Sequence, residues 1–506
     1  MNAIAGYTYQ QSDWEGFNAG NQNFLSDATL YYSIQSGQAD KPTVGSSKSQ
    51  TTWASYFARA IYTYNGNITL QASVRRDGSS IFADNKKWGY FPAVSAGWVL
   101  SDESWMKSIK PISFFKVRAG YGETGNSSFQ SAAFALYSSS MSAYFGTNNI
   151  SSGLVLSRAA NPDLTWETAG EINAGVDFAL FNNRLSGSFD YYNKTIRNLI
   201  AFVPYPSGFI INGVYGNAGK TRSTGYEFSL ESKNIRANSP NGFSWSTNIN
   251  FSHYLNYWVQ RSDAALKVLA KYEVPSGKKA LFSPIFGYVA DGLFTGRSGT
   301  APAHMPNMLP GGLIISDIHG YDANGNLIGP DGKITDADKT YIGNNDPQYN
   351  FGFGNTFRYG GFDLNIYLSG VKQKRWSPIA DGRVSESGMD AFGFNAMPTD
   401  GQRWSIQNTS GTLPTALNDG TYNAYQNPST YWLVDASYLR ARNITLGYTV
   451  PTGVLAKQKL FSSVRVSFDA QNLFTITKYP GLDPELSTSN FYPLVKSYVF
   501  GINATF

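Results

Sequence analysis

The stretch "DIHGYDANGNLIGPDGKITDADKTYIG", residues 317–343, sets Asp331, Asp336 and Asp338 close to Asn324 and Asn326. Carboxylate and amide oxygens at alternate positions, ahead of a glycine that can turn the chain, are what a hard cation requires. Asp331, Asp336 and Asp338 are therefore candidate ligands for Ca²⁺, the one cofactor this sequence suggests. Two features oppose that reading: "YDANGNLI" interrupts the compact spacing, and no Glu closes a loop of about 12 residues. The other reading is an acidic loop satisfied by water.

A second set of residues suits recognition of a bound molecule. Tyr144, Phe145, Trp376, Trp404, Tyr422, Tyr425, Tyr431 and Trp432 fall in segments without strand periodicity, where rings can stack on sugar or peptide faces. Each can equally pack its own loop. In "WGYFP", residues 88–92, Trp88, Tyr90 and Phe91 fit an aromatic belt at a membrane boundary, with a ligand platform as the alternative.

Catalytic chemistry finds little support. His253, His304 and His319 form no metal-binding pair or triad, and no glycine-rich loop precedes a helix. No enzymatic activity is expected. The chain has no Cys, which removes disulfides and thiolate metal sites. A net charge of +5 without a Lys/Arg-rich block argues against nucleic acid as a partner.

The elements that must position these residues read as strands. In "SSVRVSFDAQNLF", residues 462–474, Val464, Val466, Phe468 and Ala470 alternate with Arg465, Ser467, Asp469 and Gln471. Period two gives one apolar and one polar face, whereas helical spacing would scatter the apolar positions. The pattern recurs at 68–75, 171–180, 226–231, 243–251, 362–368 and 497–506. Strands of about 10 residues with aromatics on the apolar face describe a membrane-spanning wall, because sandwich strands run to about 5 or 6. Composition agrees: aromatic and charged residues are each 15% of the 506, against roughly 25% charged in soluble chains. Mean hydropathy is −0.29 and no apolar run is long enough for a transmembrane helix, so a closed barrel is the remaining way to span.

The fold class expected is all-β, a transmembrane antiparallel barrel contributing about fourteen strands. Short turns at 64–67, 181–184, 358–362 and 450–460 alternate with long loops at 13–50, 125–164, 199–218, 258–346, 372–436 and 475–493. The polar register carries Glu171, Asp177, Asp190, Glu227, Glu231, Arg465 and Asp469, which must face the interior, since Arg or Lys at the lipid midplane costs roughly 2 to 4 kcal/mol.

Several segments then resemble one family. "SYFARAIYTYNGNITLQASVRRDGSSIFADNKKWGYFPAVSAGWVLSDESWM" (55–106), "KVRAGYGETGN" (116–126), "NPDLTWETAGEINAGVDFALFNNRLSGSFDYYNKTIRNLI" (161–200), "SYLRARNITLGYTVP" (437–451) and "VRVSFDAQNLFTITKYPGLDPE" (464–485) are similar to stretches of SusC-like (SusC/RagA) TonB-dependent transporters. The resemblance runs nearly end to end. It implies the outer membrane of a Gram-negative, Bacteroidota-type bacterium, with lipid and lipopolysaccharide around the wall. It implies import of oligosaccharides or peptides with a SusD-like surface lipoprotein as lid, driven by TonB acting on a plug, and an assembly pairing two such complexes. Family barrels have about 22 strands, so the chain is expected to be the C-terminal part, with the plug, the N-terminal extension and about eight strands lying in an upstream segment. A non-transporting surface barrel and a passive porin are the alternatives.

Overall fold

A computed structural model of the chain describes residues 1–40, 42–127, 132–144, 150–205, 208–209, 211–239, 241–262, 266, 269–273, 280–296, 300–377, 400–415, 428–456, 460–486 and 494–506. It divides into two compact units: Met1–Ala96, Gly120–Glu171 and Ile196–Lys220 form one, and Gly97–Ala119, Ile172–Thr195 and Thr221–Phe506 the other.

Fourteen strands follow one another along one sheet in chain order. They are β1 (Asn2–Gly20), β2 (Thr43–Tyr64), β3 (Ile68–Ser79), β4 (Trp88–Val99), β5 (Ile112–Asn126), β6 (Glu167–Leu180), β7 (Leu185–Pro204), β8 (Gly213–Ile235), β9 (Ser244–Arg261), β10 (Tyr349–Tyr359), β11 (Phe362–Lys372), β12 (Tyr438–Thr449), β13 (Ser463–Gln471) and β14 (Ser497–Thr505). The expected strand count is therefore observed. Connections alternate short and long, as at 65–67 against 80–87, or 360–361 against 373–437. The tightest turns use residues that accept positive φ: Asn65 (46°) and Gly66 (77°), then Gly360 (57°) and Gly361 (92°). Such backbone twist suits two-residue hairpins.

Several connections differ from the periodicity-based boundaries. The loop expected at 13–50 shrinks to 21–42, because β1 and β2 continue as a paired ribbon in which Asp13 faces Gln50 and Glu15 faces Lys48. Trp14 falls on one face of that ribbon and Phe17 and Val44 on the other, each among polar residues, so it lacks the alternation that marks a wall strand. It is held by the ladder and an exposed Lys48–Glu15 pair at 2.5 Å. The segment expected as a loop at 125–164 contains a hairpin, Leu136–Tyr144 with Ile150–Arg158. The loop at 199–218 is reduced to 205–212.

In the second unit, Leu364, Leu446, Phe468 and Phe500 stand opposite one another across β11 to β14. Leu446 and Phe500 are 47% and 80% exposed, an apolar surface that water would penalise and hydrocarbon would cover. The other face is polar and paired through its glycines. Arg118 on β5 reaches Asp190 on β7 at 2.5 Å, and a Cβ on the intervening Gly175 of β6 would fall 2.6 Å from Asp190 Oδ1. Arg465 on β13 reaches Asp363 on β11 at 2.7 Å, directly over Gly447 of β12. In the first unit Arg197 on β7 pairs with Glu123 on β5 past Gly170 of β6. A side chain on the middle strand would cut each bridge.

Gly447→Val is expected to break the Arg465–Asp363 bridge and cost about 1 to 3 kcal/mol, the usual penalty of overpacking. Denaturant unfolding in detergent measures this. Gly401→Ala, at a glycine whose Cβ position is open, serves as a control expected to leave the midpoint unchanged.

Candidate functional site

The long connections of the second unit carry a small folded body. Pro284–Gly287 pairs with Thr340–Asn344, and Ala290–Leu293 with Leu313–Ile315. Its core contains Phe294, Met305, Met308, Leu313 and Trp432. "SPIFGYVADGLF" thus supplies loop strands outside the wall. Apolar burial drives this packing, so these rings hold the loops together before any ligand is considered.

That packing places the aromatic candidates. Trp432 is 1% exposed inside the core, and Trp376 packs against the same cluster. Trp432 thus takes the loop-packing alternative, and Trp376 is partly buried beside it. Tyr431 lies edge-on to Trp432 at 4.8 Å and donates its hydroxyl to the Thr412 carbonyl. Tyr144 ends the strand Leu136–Tyr144, but its side chain, like Phe145, Tyr422 and Tyr425, lies outside the described residues. In "WGYFP", Trp88 and Tyr90 lie on the exposed face of β4, whereas Phe91 is buried at 6% exposure against Trp166, 5.4 Å between rings. Phe91 therefore leaves the membrane belt. Its odd register sends it to the other face.

Trp404 differs from the rest. Its backbone N–H bonds the Leu413 carbonyl at 2.8 Å and its ring lies over Gly311, whose φ of +83° brings the two loops close. The ring is 7% exposed, and among the described residues its enclosed Nε1 has no hydrogen-bond partner. Trp404 lines a cavity of about 540 Å³ with Arg403, Ser405, Gln407, Asn408 and Thr415. Donors and amides beside one indole face suit an acceptor-rich ligand.

The acidic loop is organised around its own backbone. Asp338 is fully buried and accepts from the backbone N–H groups of Thr335 (2.7 Å), Ile318 (2.9 Å) and His319 (3.2 Å), completing a capping box with Thr335. Asp336 pairs with Lys339 at 2.6 Å, and Asp331 accepts from the Lys333 N–H at 3.0 Å. Asp322 accepts from the Asn326 and Asn324 amides, which hold its carboxyl below the usual range. Among the described residues no three carboxylates or histidines converge on a cation position. In this arrangement Asp331 and Asp338 accept from turn amides and Asp336 pairs with Lys339, and the spacing T-x-x-D at 335–338 is the sequence signal for the cap.

Sequence reasoning missed a buried ionic clasp. Arg440 on β12 is 1% exposed and pairs with Asp483 at 2.6 Å and Glu485 at 3.3 Å. Glu485 also takes Arg442 and the Tyr438 hydroxyl. Gln373 donates to the Pro484 carbonyl at 2.9 Å. Together these tie the 472–496 connection to the top of β12. Nearby, the Ser437 hydroxyl and Lys372 hold the Asp435 carboxyl at about 2. Removing one partner of a buried pair strands the other. Asp483→Asn leaves Arg440 with Glu485 alone and is expected to cost about 1 to 3 kcal/mol and to expose residues 479–486 to protease, read by limited proteolysis and unfolding midpoints.

A strand wall with paired polar residues on one face, exposed apolar side chains on the other and folded loops at one edge defines a β-barrel outer-membrane protein class. Residues 2–313, more than half of the chain, match the family "TonB dependent receptor-like, beta-barrel", and the chain belongs to that family. It is 30% identical over its whole length to TonB-dependent receptor P3 of Formosa agariphila, covering 50% of that protein. It is 28% identical to TonB-dependent receptor SusC of Bacteroides thetaiotaomicron, over 90% of this chain and 44% of that one. Among solved structures, the RagAB peptide transporter matches with a TM-score of 0.78 at 25% identity, over 100% of this chain and 53% of that chain. The chain is a SusC-like TonB-dependent transporter barrel, and it spans about half the length of these relatives.

Proposed function

We propose that the chain forms wall and surface loops of an importer in the outer membrane of a Gram-negative, Bacteroidota-type bacterium. It works with a SusD-like lipoprotein that covers the loops and delivers an oligosaccharide or a peptide. TonB energises release through a plug, which we assign to the remaining half-length of the relatives. The free side of β1, paired among the described residues only with β2, then meets further wall strands of the same transporter. Two such complexes pair in the working assembly.

The observation that carries this reading is the fourteen-strand wall, matched along its whole length to RagAB. The loop body supports it: a rigid surface built on Trp432 and clasped through Arg440 gives a lid something fixed to close against. The cavity beside Trp404 is the cargo contact we favour.

Uptake of labelled oligosaccharide and labelled peptide, measured in strains carrying or lacking TonB, tests the mechanism. Loss of uptake of the recognised cargo without TonB is expected; uptake that persists would identify a passive pore. Trp404→Leu removes the indole that lines the cavity and keeps an apolar filler, so cargo binding by calorimetry is expected to weaken roughly three- to tenfold, the worth of one aromatic contact. Unchanged binding would remove this cavity from the cargo path.

A further inference from the structure

The first unit carries an arginine where a barrel wall should avoid one. Arg76 on β3 has the same side-chain register as Leu70 and Val74, which are 48% and 46% exposed on the apolar face. Its neighbour Arg75 points to the other face, where it holds Asp77 at 2.6 Å and the Ser55 hydroxyl at 2.8 Å. Arg76 has no such anion: among the described residues it forms no ion pair, and its Nε is buried without a hydrogen-bond partner.

Aromatic rings frame it instead. The guanidinium lies 4.4 Å from the centre of Trp88 and 5.5 Å from that of Tyr90. Tyr56 stands opposite Arg76 across β2 and β3, and its ring is 6.0 Å from Trp88. Tyr56 and Tyr90 are 51% and 61% exposed. The group sits beside the 80–87 connection, at the edge of the wall from which the long connections leave. Tyr and Trp gather at the headgroup level of a bilayer, and an arginine on the lipid side is tolerated there while it is costly at the midplane. Ring faces satisfy part of the cation, but its N–H edges need an acceptor. The acceptors available at that depth are headgroup phosphates, which match the planar guanidinium fork.

We propose that Arg76, framed by Trp88, Tyr90 and Tyr56, is a docking site for the phosphate of an outer-leaflet lipid headgroup. The site rests on the outer-membrane reading given above. It fixes the wall's depth and rotation relative to the lipid at this edge.

The test uses the full-length protein, purified, stripped of lipid and titrated by native mass spectrometry with phosphorylated lipid A, with dephosphorylated lipid A and with inorganic phosphate. Phosphorylated lipid is expected to be retained, with Arg76→Gln weakening it about tenfold and Arg76→Lys weakening it by a smaller factor, since a point charge keeps the attraction but loses the planar fork. Arg59→Gln, on the opposite face of β2, is expected to change nothing. Equal retention of dephosphorylated lipid, displacement by inorganic phosphate, or undiminished binding to Arg76→Gln would each overturn the site. A nitroxide at Val74 separates the two levels of the proposal. Quenching from the aqueous phase there would remove the membrane face itself, whereas quenching from the lipid phase with a flat lipid titration removes only the site.

Discussion

Backbone amides cannot be left unpaired in hydrocarbon, and that constraint governs the rest of this molecule. A strand wall meets it by bonding each strand to its neighbour, leaving side chains to divide between two environments at period two. From that division follow the exposed Leu446 and Phe500 on one face and the Arg118–Asp190 and Arg465–Asp363 bridges on the other. The glycines are part of the same solution. Charged groups two strands apart can meet only if the strand between them presents no side chain, and Gly175 and Gly447 provide that clearance. A polar interior wall would otherwise need a counterion from the adjacent strand for every arginine.

The loops obey a different economy. Above the wall, backbone groups can reach water, so loops need a reason to be ordered. Here it is a separate apolar core around Trp432 and Met305, together with carboxylates that accept from backbone amides, as Asp338 does. The Arg440 clasp joins that surface to β12. Loops held by their own core and tied to the wall keep one arrangement without help from a ligand.

These physical differences decide what the sequence could reveal. The wall was legible because its environment repeats every second residue, and the strand containing Val464, Val466 and Phe468 appears where its alternation lies. The ribbon of Asp13 and Gln50 was not, since neither face is apolar and only pairing defines it. Phe91 was misplaced by grouping "WGYFP" as one belt when neighbouring residues must face opposite ways. The loop aromatics could not be sorted at all from local pattern: Trp432 is buried by residues far away in the chain, while Trp404 keeps an unused donor beside a cavity. Nothing near either residue distinguishes them.

In a wall of this transporter family, function turns on what its edges recognise. Arg76 and Trp404 illustrate the two kinds of edge. One sits on the apolar face among exposed rings, which satisfy part of its charge and leave room for the headgroup phosphate proposed above. The other sits among folded loops, where its ring lines a cavity and its enclosed indole N–H has no partner among the described residues. Neither group is alone in lacking a partner: among the described residues Arg158, Arg261 and Arg440 also carry an Nε without one, so it is the rings around Arg76 and the cavity beside Trp404 that single these two out.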